Sequence, residues 1–150
     1  MIQKNATSLC IIEPNGDMTM TSRLPKIIST LKEYNILYVK RTQDDINDII
    51  GGVPGNGYLD YDIFVTELPF ESTLHYHDDN EARAILSGSG EFTIFIGEKR
   101  LLLHMVDGDY VTIPAGLKHT FKTDGPLSAV LFFTQRDGGI AIEVLPDPTI

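Results

Sequence analysis

One hundred and fifty residues, 16.7 kDa, suffice for one domain with a sizeable core. A content of 42% hydrophobic and 22% charged residues excludes disorder as the main state. Twelve Lys and Arg against 21 Asp and Glu leave a net charge of −9, which repels phosphate backbones and anionic lipid and argues against nucleic-acid or membrane partners. No apolar run approaches the roughly 18 residues of a membrane helix. The opening stretch, a short apolar patch ended by Glu13 and Pro14, makes a poor signal peptide, so the expected address is the cytoplasm. Cys10 stands alone and closes no internal disulfide.

Two regimes follow along the chain. Up to about residue 59 the pattern is helical with a little strand. Leu24, Ile27, Ile28 and Leu31 fall on one helix face, with Thr21 and Ser22 as candidate caps and Pro25 in the first turn. Ile36 to Lys40 reads as a strand, and a second short helix is expected from Thr42 to the Gly51-Gly52 stop. From Asp60 to Leu145 short strands alternate with breaks at Ser87–Gly90, Gly97-Glu98, Asp107–Asp109, Pro114–Gly116, Asp124–Pro126 and Asp137–Gly139. Strands at that spacing without helices between them indicate an all-β sandwich or barrel. One mainly β domain over 1–150 is therefore expected, with the α-containing segment packed on a barrel of residues 60–145.

The chemistry concentrates in four histidines. His75 and His77 are spaced H-x-H and share a strand face, because side chains alternate along a strand. Glu81 re-enters on the same side after the Asp78-Asp79-Asn80 excursion, and His119 joins if its strand faces the pair. Two or three imidazoles and a carboxylate converging inside a barrel outline a transition-metal site. Taken alone, H-x-H reads more often as a polar strand face than as a metal site. His104, between Leu103 and Met105, has no ligand partner near it in sequence and reads as structural or exposed.

The wider spacing carries a family resemblance. His75-x-His77-x-x-x-Glu81, then six residues to Gly88, resembles the first motif of the cupin superfamily. Gly108, Pro114-x-Gly116 and His119 resemble the second, with Pro69 and Thr123 as departures at positions that are not ligands. Within cupins, His75-Tyr-His77 followed by Glu81-Ala-Arg83 and Ser87–Gly90 is similar to the acireductone dioxygenase family. So is Gly108-Asp109 through Pro114-Ala115-Gly116 to His119-Thr120-Phe121. The resemblance implies a cupin double-stranded β-helix barrel and a metal-dependent dioxygenase of the kind used in methionine salvage. Its ligands would be His75, His77, Glu81 and His119, holding one divalent transition metal, Fe(II) or Ni(II). Three neutral imidazoles and one carboxylate leave such an ion net positive, with two octahedral positions open for a chelating enediol substrate that reacts with O2.

Arg83, two residues beyond Glu81, points inward by strand alternation. The resemblance makes it a catalytic donor to a substrate oxygen; the alternative is an ion pair with Glu91 or Glu67. Phe121, inward with His119, is either core or a substrate-pocket wall. Leu131 and Gly139 stand where the family shows arginine and tryptophan, which implies a divergent member with a changed pocket. The alternative function is another cupin tailoring oxygenase, isomerase or decarboxylase with a different small-molecule substrate.

Overall fold

The computed structural model describes residues 6–41, 60–133 and 141–144. The helix expected from Thr42 and the position of Gly139 lie outside them. The described elements begin with β1 (Ser8–Ile12), β2 (Met18–Thr21), α1 (Leu24–Lys32) and β3 (Leu37–Lys40). They continue with β4 (Asp60–Thr66), β5 (Phe70–Glu71), β6 (His75–His77), β7 (Glu81–Ile96) and β8 (Lys99–Val106). The last are β9 (Asp109–Ile113), β10 (His119–Thr123), β11 (Leu127–Phe133) and β12 (Ala141–Glu143). The fold is mainly β, as expected, and α1 is the only helix among the described residues. It is not long or apolar enough to cross a membrane.

Helix α1 forms where the apolar period predicts it. Pro25 sits in the first turn, where its missing N–H is no loss, and Ile27 and Leu31 are fully buried. Its cap differs from expectation. Arg23 is the N-cap and makes no side-chain cap bond, while Thr21 Oγ1 accepts the Arg23 N–H from outside the helix. The N-terminal apolar patch is itself a strand: β1 lies between β8 and β2 and buries Leu9 and Cys10.

The strands form two antiparallel layers that share β7. One runs β12-β6-β10-β7-β8-β1-β2, with β5 also on β10; the other runs β4-β11-β7-β9-β3. The break expected at Ser87–Gly90 is therefore a bend inside a 16-residue strand. The reason is a change of phase. Glu81, Arg83 and Ile85 share the inner face of the first half, whereas Phe92 and Ile94 supply it in the second. Odd and even positions can exchange faces only if a residue is absorbed. The register against β11 slips accordingly, with Ile85 opposite Ala129 but Ser87 opposite Ser128. Gly88 permits the bend: its φ is +87°, and a Cβ there would meet the Pro126 carbonyl oxygen at 2.2 Å.

The main core fills the space between the layers with Phe92, Ile94, Leu101, Leu103, Ile113 and Phe121, and Ile27 and Leu31 of α1 extend it. Ala82 and Ala84 alternate to the other face of β7 and pack with Tyr110, Val130 and Phe132. A buried carboxylate ties the N-terminal part to the barrel. Asp109, fully buried, accepts hydrogen bonds from the Thr7 and Tyr38 hydroxyls and the Val106 N–H, and Lys40 lies 3.1 Å away. Burial, with the Asp109 carboxylate beside it, pushes the Tyr38 phenol well above its ordinary range.

Candidate metal centre

Three elements deliver the candidate ligands. The extended backbone of β6 puts His75 and His77 on one face, and β10 pairs with β6 so that His119 stands opposite His75. Glu81 is the first residue of β7. The loops between them are stapled together. Asn80 Oδ1 accepts the Ala115 N–H at 2.9 Å, and the His77 carbonyl accepts the Gly116 N–H at 2.9 Å. Gly116 adopts φ +83°, which suits it to that turn. The sequence reading did not single out Asn80, since an asparagine in an acidic turn gives no sign of its distant partner.

One donor atom from each of His75, His77, Glu81 and His119 lies within 4.8 Å of the others. The ring centroids are 4.5 Å apart for His75–His119, 5.0 Å for His75–His77 and 5.5 Å for His77–His119. Glu81 and His119 are 1% exposed, and His75 is half-buried. The tautomers follow from the hydrogen bonds. His75 Nδ1 is 2.7 Å from the Thr73 carbonyl and His119 Nδ1 is 2.9 Å from the Leu117 carbonyl. A carbonyl only accepts, so each Nδ1 carries the proton and each Nε2 presents a lone pair.

The His119 lone pair faces a carboxylate. Glu81 Oε2 lies 2.7 Å from His77 Nε2 and 3.3 Å from His119 Nε2. Despite these short contacts, neither Glu81 Oε2 nor His119 Nε2 completes a hydrogen bond. Acceptors crowded together in a buried place are costly, at about 1–3 kcal/mol per unsatisfied group. A divalent cation at their centre removes that cost, and three nitrogens with one carboxylate oxygen suit a transition ion. Burial alone would raise the Glu81 carboxyl, but the Arg83 guanidinium beside it overrides this and holds the group well below the usual carboxylate range. Burial also lowers His75, favouring the neutral, metal-binding form.

Arg83 is inward as expected, but its partner is neither Glu91 nor Glu67. Its Nη2 lies 2.8 Å from Glu81 Oε1, the carboxylate two residues back on the same face. Burial lowers the guanidinium, opposed by Glu81. Its Cζ lies over two aromatic rings, at 4.3 Å from the Phe121 centroid and 4.9 Å from that of Phe92. Phe121 is thus buried core, yet it also reaches the cavity wall. Gly90 makes room for it, since a Cβ there would sit 2.3 Å from Phe121 Cζ. The ring cannot retreat, being packed against Phe92 and Arg83. Gly90→Ala is therefore expected to cost about 1–3 kcal/mol by overpacking, read as a lower denaturant midpoint with an unchanged m-value.

A cavity of about 340 Å³ opens beside the ligands, lined by His75, His77, Arg83 and Phe121 with Leu131, Ser72, Asp62, Ile63, Phe64 and Phe70. That volume suits a small molecule. Leu131 stands opposite Arg83 in the β11–β7 register. Ser72 and Asp62 escaped the sequence reading because only strand register brings them here. His104 lies elsewhere, half-buried on β8 opposite Glu91 and Ser8.

Comparison with known proteins agrees with this geometry. A cupin domain model matches residues 65–134. Acireductone dioxygenase of Leptospira biflexa is 37% identical over 73 residues, covering 47% of this chain and 41% of that protein. The Leishmania major acireductone dioxygenase is 29% identical over 132 residues, covering 76% of this chain and 38% of that protein. The chain thus spans about two fifths of the length of these relatives. Acireductone dioxygenase from Bacillus anthracis, solved with a cadmium ion in its active centre, superposes with a TM-score of 0.71 at 19% identity, covering 92% of this chain and 98% of that one. At that identity the likeness establishes a shared fold.

Proposed function

We propose that the chain, which matches a cupin domain model over residues 65–134 and is similar in sequence to acireductone dioxygenases, is a metal-dependent dioxygenase that takes an enediol-type small molecule and cleaves it with O2. The observation that carries the reading is the set of buried acceptors of His119 and Glu81 beside His75 and His77, which line a cavity together with Arg83. His75, His77, Glu81 and His119 would hold one divalent transition metal, Fe(II) or Ni(II) by the donor set. When bound, such an ion would act as a Lewis acid toward the oxygens of an enediolate and neutralise part of their charge.

The chain's own residues supply the rest. Arg83, anchored on Glu81 and stacked on Phe121, keeps N–H groups for a substrate oxygen; its Nε is buried without a hydrogen-bond partner. A fixed cation there favours the ionised enediol and lowers its pKa. Phe121 and Leu131 keep that wall apolar and exclude water from the electron-rich intermediate. Anaerobic reconstitution with Fe(II), followed by oxygen uptake against a small panel of enediols, tests the proposal. One O2 consumed per enediol cleaved is expected, and no uptake with any of them would refute it.

Leu131 on the cavity wall favours a second reading, in which the metal chemistry is kept and the substrate has changed. Leu131→Arg should then improve turnover of a methylthio-bearing acireductone. High activity on that compound in the unmodified protein would make the departure incidental.

Loss of the metal should not unfold the chain. The barrel has its own apolar core, unlike a zinc finger that folds only on its metal. Chelation is expected to lower the melting temperature while the β-type circular dichroism spectrum persists. A random-coil spectrum after chelation would contradict this.

A further inference from the structure

Strand register places a carboxylate at the far side of the cavity from Arg83. Leu131 of β11 pairs with Arg83 of β7 on one side and with Asp62 of β4 on the other. The three side chains therefore stand in a row on one face, and all three line the cavity. Two strand spacings separate the ends of the row, about 10 Å. Asp62 is exposed at the open side, on a strand whose only partner among the described residues is β11.

The wall between those ends offers little to a charged group. Ile63, Phe64, Phe70, Phe121 and Leu131 are apolar. Arg83 is the only Lys or Arg among the described residues lining the cavity, and Glu81 engages it at 2.8 Å. An anionic group at the outer end of a substrate would meet Asp62 with no cation to offset it. The whole-chain charge of −9 adds in the same sense.

We infer that Asp62 selects the substrate by its tail: an enediol whose chelating end lies beside Arg83, whose middle is apolar, and whose outer end carries a cation or a strong hydrogen-bond donor such as an amine. The inference rests on the proposed chelating metal pocket and adds the chemical class of the group that projects from it. Asp62 acts in specificity and takes no part in the reaction at the metal. The competing role for Asp62 is protection of an edge strand, where an inward charge discourages pairing with another chain.

Catechols chelate through adjacent oxygens as an enediol does and allow a matched comparison. Dissociation constants of the metal-loaded protein under nitrogen would be measured for dopamine, with an ammonium tail, and for 3-(3,4-dihydroxyphenyl)propionate, with a carboxylate tail of similar length. Neutral 4-methylcatechol serves as the reference. Dopamine is expected to bind about five- to tenfold more tightly than the propionate, the scale of one partly exposed ion pair set against one repulsion. Asp62→Asn should bring the ratio close to one, and Asp62→Lys should reverse it. Equal binding of both tails, or a preference that survives Asp62→Asn, overturns the inference while leaving the chelating pocket in place. Self-association of Asp62→Asn with an unaltered tail preference assigns the residue to edge protection and likewise overturns it. Failure of all three catechols to bind overturns both the inference and the metal pocket on which it rests.

Discussion

His75→Ala is expected to weaken metal binding by more than about 100-fold, leaving the purified protein largely without metal at micromolar concentration. Outer-shell partners of a metal site already cost about 10–100-fold when removed, and a direct ligand should cost more. His75 is the variant of choice because it is half-buried, so its truncation opens little of the core. His119→Ala should lose metal to at least the same extent. It will also lose stability, since His119 is 1% exposed and its ring lies 5.6 Å from that of Phe92. Metal analysis beside circular dichroism separates the two effects. Full occupancy in both folded variants would show that the ligand set is wrong.

Arg83→Met is the second large effect. Methionine keeps much of the aliphatic bulk over Phe121 and Phe92 and removes the cationic donor. If Arg83 serves a substrate oxygen, turnover should fall by about 10²–10³-fold, the loss typical of one preorganised donor. Metal content should stay near that of the unmodified protein, because a bound cation takes over compensation of Glu81. If Arg83 only neutralises Glu81, the change should instead cost about 3–5 kcal/mol of stability, as removal of one partner of a buried pair does. Activity per bound metal would then be kept. Steady-state rates normalised to metal, set beside denaturant midpoints, distinguish these outcomes.

The candidate site was legible where chemistry depends on near neighbours. The H-x-H pair and Arg83 follow from a two-residue period, which converts sequence spacing directly into a shared face. The Ser87-Gly-Ser-Gly90 stretch shows the limit of that reasoning. Its residues favour a turn, yet β8, β9, β10 and β11 all pair along β7 and hold it extended through a bend. Sheet hydrogen bonds supplied from both sides outweigh a local preference worth a fraction of a kcal/mol per residue. Arg83 illustrates the same limit in its partner. Glu67, Glu81 and Glu91 were all available in sequence, and the choice of Glu81 needed the inner face of β7 to be known.

By itself, the sequence determined the mainly β class and the period of α1, which rest on periodicities of two and 3.6 residues, and its family resemblance implied the candidate ligand types and their order along the chain. Only the tertiary structure decided that His119 stands opposite His75 and that its Nδ1, held by the Leu117 carbonyl, leaves Nε2 turned toward Glu81. It also decided that Asp62, Leu131 and Arg83 form one row across three strands. The reason is physical. Strand register is set by side-chain packing and hydrogen bonds between segments tens of residues apart, and a slip of one residue would send every one of these groups to the opposite face.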